Sequence, residues 1–210
     1  MSYAKFTRKR LMQEFGMTFS RYHLFSSHIP AVTPSDHLLF ELDEATHLPL
    51  NNEKAQSELL IVPILKEVWR KSGRAFAIHS GDPLDVDVKA GLSGECDFIL
   101  TADTKRIDIV APILSLVEAK KENFDAGVTQ GAIQLYAAHL FNQQNKMPTP
   151  YLWGCSANGW GWQFFQLRNE KEIIIHPDLF SKDNLPSLLG AWKIVIDESL
   201  AMIGKNFKPA

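Results

Sequence analysis

Several things are scarce in this chain, and each scarcity excludes something. Cysteine occurs only at Cys96 and Cys155. The two are far apart, each inside an apolar, strand-like run, so they read as reduced core thiols and no CxxC pair is available. The seven histidines (23, 28, 37, 47, 79, 139 and 176) show neither HExxH nor HxxxH spacing, which argues against a zinc site. Long apolar runs are missing as well. The basic residues Lys5, Arg8, Lys9 and Arg10 are followed by no apolar h-region, so neither a membrane span nor a secretory leader is read, and the expected location is cytoplasmic.

Excess charge of either sign is also lacking: 22 Lys and Arg against 24 Asp and Glu leave a formal −2, with a pI near 6.4. No global positive field announces a polyanionic partner. Positive charge can still be confined to a groove, and a bound ion adds charge that the count omits. Lys5, Arg8, Lys9 and Arg10 could touch a phosphate backbone, but a solvated helix face is the simpler reading.

What the chain does have is an ordinary globular composition, 45% hydrophobic and 22% charged over 210 residues, without repeats or low-complexity tracts. That suits one domain of generous size. Residues 26–52 are loop-like, with Pro30, Pro34 and Pro49, so residues 1–52 read as an N-terminal extension and 53–210 as the domain proper. Apolar spacings of three and four predict a helix over residues 53–71, kinked or restarted at Pro63. Short alternating runs predict strands at 76–79, 95–101 and 113–119, sequential and antiparallel. A helix over 125–142 follows, with Asn123 or Asp125 as its cap, then a strand at 151–157. The Asn158-Gly159 pair marks a tight turn into strands at 162–167 and 172–176, and residues 185–203 close the chain as an amphipathic helix. The fold class is α/β: a mixed central sheet flanked by helices, with an αβββαβ core and a C-terminal strand pair plus helix.

Chemistry concentrates on two of these strands. Period-two alternation puts Asp97 opposite the face of Cys96, Phe98 and Leu100, and puts Glu118 and Lys120 on one common face. Pairing the two strands brings two carboxylates and an ammonium to one strand end. Asp97, Glu118 and the backbone carbonyl of Ala119 offer the hard oxygens that Mg²⁺, or Mn²⁺, prefers. Lys120 is then placed to orient an attacking water or to meet charge on a phosphate. Glu58 is a further candidate acid, because Val62, Leu65 and Trp69 fall four, seven and eleven residues on and put it in line with the apolar stripe, where a carboxylate needs a partner. An unrelated Lys or Arg would serve as well as a metal water.

Asp97, then Glu118-Ala119-Lys120 some twenty residues on, preceded by a Glu-bearing helix and followed by a helix carrying Gln130 and Gln134, resembles the PD-(D/E)XK superfamily of restriction-endonuclease-like and recombination nucleases. The resemblance covers residues 53–157. It implies an αβββαβ nuclease core, Mg²⁺ on the acidic pair, catalytic roles for Asp97, Glu118, Lys120, Glu58 and Gln134, and nucleic-acid contacts from Gln130 and Lys121. The implied activity is hydrolysis of phosphodiester bonds in nucleic acid, DNA above all, and double-strand cleavage would call for a homodimer. The pattern departs from the family at Cys96, where proline is usual, and at the glutamine motif, where Gln130 is followed at the expected tyrosine position by Gln134, with Tyr136 two residues later.

Each signal has a plainer explanation. Glu-x-Lys at a strand end is often a solvated ion pair. A nuclease fold can also serve as a silent module that binds nucleic acid or a protein. Asp82, Asp85 and Asp87 lack the spacing and closing Glu of an EF-hand and fit turn chemistry better. Trp153, Trp160 and Trp162 suit cross-strand packing more than base stacking. His139 reads as a boundary histidine rather than a base.

Overall fold

The computed structural model describes residues 3–204. The helical stretch that precedes the central strands opens at Asn52, whose side chain accepts the Ala55 N–H and caps α3 (Glu53–Gln56). It does not run on as a plain α-helix. Pro63 carries no N–H to return to the turn before it, and the chain widens into a π-helical turn over Ser57–Ile61, where the Val62 N–H bonds the Ser57 carbonyl. Regular α-geometry resumes in α4 (Val62–Lys71). The expected interruption at Pro63 is therefore a one-residue slip of register.

Three antiparallel strands follow: β2 (Ala77–Pro83), β3 (Glu95–Thr101) and β4 (Ile113–Ala119). The long helix α5 (Phe124–Gln144), capped by the Asn123 side chain on the Ala126 N–H, carries the chain over the sheet to β5 (Tyr151–Ala157), parallel to β4. Parallel neighbours need such a crossover. β6 (Gly161–Arg168) and β7 (Glu172–Ile175) continue antiparallel, and the short β8 (Phe180–Ser181) pairs with β6. At the far edge, β1 (Thr18–Arg21) lies parallel to β7. The result is one mixed-polarity sheet of eight strands, ordered β1-β7-β6-β5-β4-β3-β2. The chain closes with α6 (Leu185–Ile203).

Helices cover both faces. On one, Leu38 and Leu42 of α2 (Asp36–Thr46), Ile64, Leu65 and Val68 of α4, and Leu188, Trp192 and Val195 of α6 pack on Val117, Trp153, Trp162 and Phe164 of the sheet. On the other, α5 packs on Leu116, Leu152, Phe165 and Leu167 together with Tyr3, Phe6, Leu11 and Met17 from the N-terminal segment. α5 approaches closely because it is small where the sheet is bulky: a Cβ on Gly131 would lie 2.6 Å from the Phe165 ring. Strand β4, covered on both faces, is buried along its whole length.

Several features depart from what the sequence predicts. Residues 8–15 form α1 (Arg8–Phe15), which agrees with the helix face read at Arg8, Lys9 and Arg10, but residues 18–21, read only as part of an extension, are strand β1. Within the stretch expected to be loop-like lies α2, started by Ser35, whose hydroxyl accepts the Leu38 N–H. Cys96, expected on the side of Phe98 and Leu100, packs in the second core with Ile99. The β2–β3 ladder is interrupted beside it, at Gly81, which turns through φ 71°. Both cysteines are buried free thiols.

Candidate active site

The register of β3 on β4 pairs Phe98 with Val117 and Ile99 with Leu116, and the next residues along the two strands are Asp97 and Glu118. The Asp97 carboxylate accepts the Ala119 N–H at 2.7 Å, tying the ends of the two strands together. Beyond β4, the Lys120 N–H donates to the Ala157 carbonyl of β5 at 2.8 Å, so the lysine backbone is held by the parallel neighbour. Its ammonium turns back onto Glu118 Oε1 at 2.5 Å and the Ala119 carbonyl at 3.0 Å. On the other side of Glu118, Gln134 of α5 donates its amide N–H to Oε2 at 2.8 Å. Glu118 is only 1% exposed and Gln134 is fully buried. Two carboxylates, one ammonium and one amide thus converge where β3 begins and β4 ends, under α5.

The electrostatics follow from this burial. Loss of solvent, reinforced by the charge of Asp97, pushes Glu118 up to about 8, against the opposing pull of Lys120 and Gln134. Burial also raises Asp97, helped by the charge of Glu53 and opposed by the Ala119 N–H and Lys120. For Lys120, burial acts to lower the pKa, but Glu118, Glu53 and Asp97 outweigh it and the ammonium is held charged. The raised values of both acids reflect burial and the crowding of Asp97, Glu118 and Glu53 around a single lysine, which offsets it only in part.

The sequence candidates divide as follows. Asp97, Glu118, the Ala119 carbonyl, Lys120 and Gln134 come together. Glu58 does not lie on the buried stripe. The π-helical turn slips the register between it and Val62, Leu65 and Trp69, and it stands exposed, 3.9 Å from Lys54. It does line a groove of about 370 Å³ together with Asp97. The acid nearest the lysine from that helical stretch is Glu53, which the apolar spacing does not single out: its Oε1 is 4.0 Å from Lys120 Nζ and its Oε2 accepts the Lys121 N–H at 3.2 Å. Its one signal is its place as the first residue after the capping Asn52. Gln130 lines a second cavity, of about 640 Å³, into which Lys120 also opens. The Lys121 side chain is exposed, while its carbonyl accepts from Asn158 in the β5–β6 turn.

The plainer readings hold for several other residues. Asp85 and Asp87 accept the N–H groups of Gly94 and Ala90 within their own loop. Trp153 and Trp162 are buried in the core, whereas Trp160 is 41% exposed, with the Lys182 ammonium 4.5 Å from its ring centre. His139 is buried against Gln143. One cluster is invisible in the sequence because its members are distant along the chain: His23, His176 and Asp178 bring possible ligand atoms within 4.8 Å of one another, beside a cavity of about 660 Å³. There the Leu24 N–H bonds His176 Nδ1, so the neutral ring carries its proton on Nε2, toward Asp178. A metal needs that nitrogen bare.

At the sheet end the donor set does fit a hard divalent cation. Carboxylate oxygens of Asp97 and Glu118 and the carbonyl oxygen of Ala119 are the right chemistry, and two of these groups already hold a cation, the Lys120 ammonium. Among the described residues, no helix is long and apolar enough to cross a membrane. Comparison with protein-family models, with curated proteins and with solved structures returns no match.

Proposed function

We propose that the protein is a divalent-metal-dependent nuclease that hydrolyses phosphodiester bonds in DNA, built on a restriction-endonuclease-like core. The observation that carries this reading is the buried Glu118 carboxylate, held by Gln134 on one oxygen and Lys120 on the other, beside Asp97 on the paired strand. A solvated ion pair needs neither that burial nor the amide, and a silent binding module has no use for the whole set. The run of helix, three antiparallel strands, crossover helix and parallel strand is the order that the resemblance implies, and it supports the reading further.

Asp97, Glu118 and the Ala119 carbonyl would hold Mg²⁺ or Mn²⁺, which when bound supplies Lewis-acid charge against a phosphoryl oxygen. Everything else falls to side chains of this chain. Gln134 fixes the Glu118 carboxylate in one orientation. Lys120 would donate through its ammonium to the oxygen of the attacking water and offset the charge that develops as that water loses a proton to solvent. The water oxygen bonds to phosphorus as the P–O bond to the leaving oxygen breaks, and that leaving oxygen takes a proton from solvent. Glu53, 4.0 Å away, keeps that ammonium near the strand end.

The test is incubation of purified protein with supercoiled, linear and single-stranded DNA, with and without Mg²⁺ or Mn²⁺. Cleavage is expected only with metal, and Asp97→Ala should abolish it while leaving the fold intact. No cleavage of any substrate with either metal would overturn the reading.

A further inference from the structure

The active-site residues open into two cavities of opposite character. The groove on the side of Asp97 and Ala119 is walled by Glu53, Glu58 and Glu95, with Lys54 as its one basic residue. The larger cavity, of about 640 Å³, has Lys120 in its wall together with Arg8, Asn123, Thr129 and Gln130. Arg8 comes from the N-terminal segment, far from Lys120 in sequence. Its guanidinium lies 4.9 Å from the Phe19 ring centre and 3.4 Å from Asp125, the second residue of α5. Arg21, at the end of β1, reaches the same Asp125 oxygen at 3.8 Å. Asp125, itself in the cavity wall, thus gathers two guanidiniums, Arg8 in the same wall and Arg21 reaching it from the end of β1, and the Lys120 ammonium in that wall is paired with Glu118.

We propose that this cavity is a phosphate subsite in which Arg8 and Arg21, positioned by Asp125, hold a phosphate of the substrate strand next to the one that meets Lys120. The assignment rests on the nuclease reading of the site. Arginine is suited to the task because its planar fork stays charged and grips phosphate oxygens in pairs. Asp125 keeps both forks at the cavity mouth before substrate arrives, which lessens the ordering cost of binding. The acidic groove repels a polyanion, so the strand's phosphates run along the arginine side. A chain without global positive charge needs only this local patch to bind one.

The experiment measures anisotropy of a labelled single-stranded oligonucleotide, without divalent metal, from 50 to 200 mM salt. It compares the full-length protein, Arg8→Ala, Arg21→Ala, the double variant, and a control, Lys193→Ala on α6, across the sheet. Oligonucleotides with and without a terminal phosphate separate a terminal from an internal phosphate as the group held. The double variant should bind at least ten-fold more weakly, with the slope of log affinity against log salt reduced by about 0.7 for each phosphate that the protein no longer neutralises. Arg8→Lys should recover part of the affinity, and Lys193→Ala should match wild type. Weakening on both oligonucleotides assigns an internal phosphate, and weakening only on the phosphorylated one assigns a terminal phosphate. Wild-type affinity and slope in the double variant would overturn the subsite while leaving the nuclease reading standing. Absence of any binding by the wild-type protein would likewise overturn the subsite, while the nuclease reading is decided separately by cleavage with Mg²⁺ or Mn²⁺.

Discussion

At the scale of single residues, Gln134 tests whether the site is held together as described. Its amide donates to Glu118 Oε2 from full burial. Gln134→Leu keeps the volume and removes the donor, so Glu118 Oε2 is left buried without a hydrogen bond, at a cost of about 1–3 kcal/mol. Cleavage should fall by roughly 10- to 100-fold, the usual scale for a group that orients a ligand. Single-turnover rates check this, with a melting curve to confirm folding. A wild-type rate would return Gln134 to the core. The sequence shows most of this centre, because pairing two recognisable strands, β3 and β4, is enough to bring Asp97, Glu118 and Lys120 to one place, even though alternation fails at Cys96. It misplaces Glu58, because an α-helical wheel does not apply across the π-helical turn at Ser57–Ile61.

At the scale of elements, the same contrast between local and distant causes recurs. β3, β4, α5 and β5 are legible because their patterns are strong and their ends are marked by Asn123 and the Asn158-Gly159 turn. Helix α2 is hidden behind Pro30, Pro34 and Pro49, and what stabilises its start is distant. Glu67 of α4 accepts both the N–H and the hydroxyl of Ser35 at 2.9 Å, with Arg70 and Lys71 beside it. Burial works against the charge of Glu67, but these partners outweigh it and hold the carboxyl below its usual range. A carboxylate lowered in the folded state contributes stability that is fully present above its unfolded value, about 4.3, and lost as pH falls through the lower folded value. Glu67→Gln should therefore cost about 1–3 kcal/mol at neutral pH. Urea denaturation should show the gap between wild type and variant narrowing below pH about 4. A gap that stays constant or widens there would contradict the charged clamp.

At the scale of the whole molecule, the structure ties the N-terminal residues to both cores. Phe25, Leu38 and Leu42 fill one, and Tyr3, Phe6, Leu11 and Met17 fill the other. Burial of seven such side chains is worth about 1.5–3 kcal/mol each, together comparable with the 5–15 kcal/mol by which a typical domain is stable. A chain of residues 53–210 should therefore show no cooperative thermal transition by circular dichroism. A transition like that of the full chain would mean that these residues are an appendage.

The central claim is that one strand end separates metal holding from chemistry. In the proposed reading Asp97, Glu118 and the Ala119 carbonyl would hold the ion, while Lys120 would act on water and phosphate. The direct measurement is Mn²⁺ calorimetry run in parallel with single-turnover DNA cleavage on Lys120→Ala. The account predicts that Mn²⁺ still binds, since the variant loses only a cation that competes for Glu118 and Ala119, while cleavage falls by about a hundred-fold or more. Cleavage at the wild-type rate, or loss of Mn²⁺ binding together with cleavage, would contradict it.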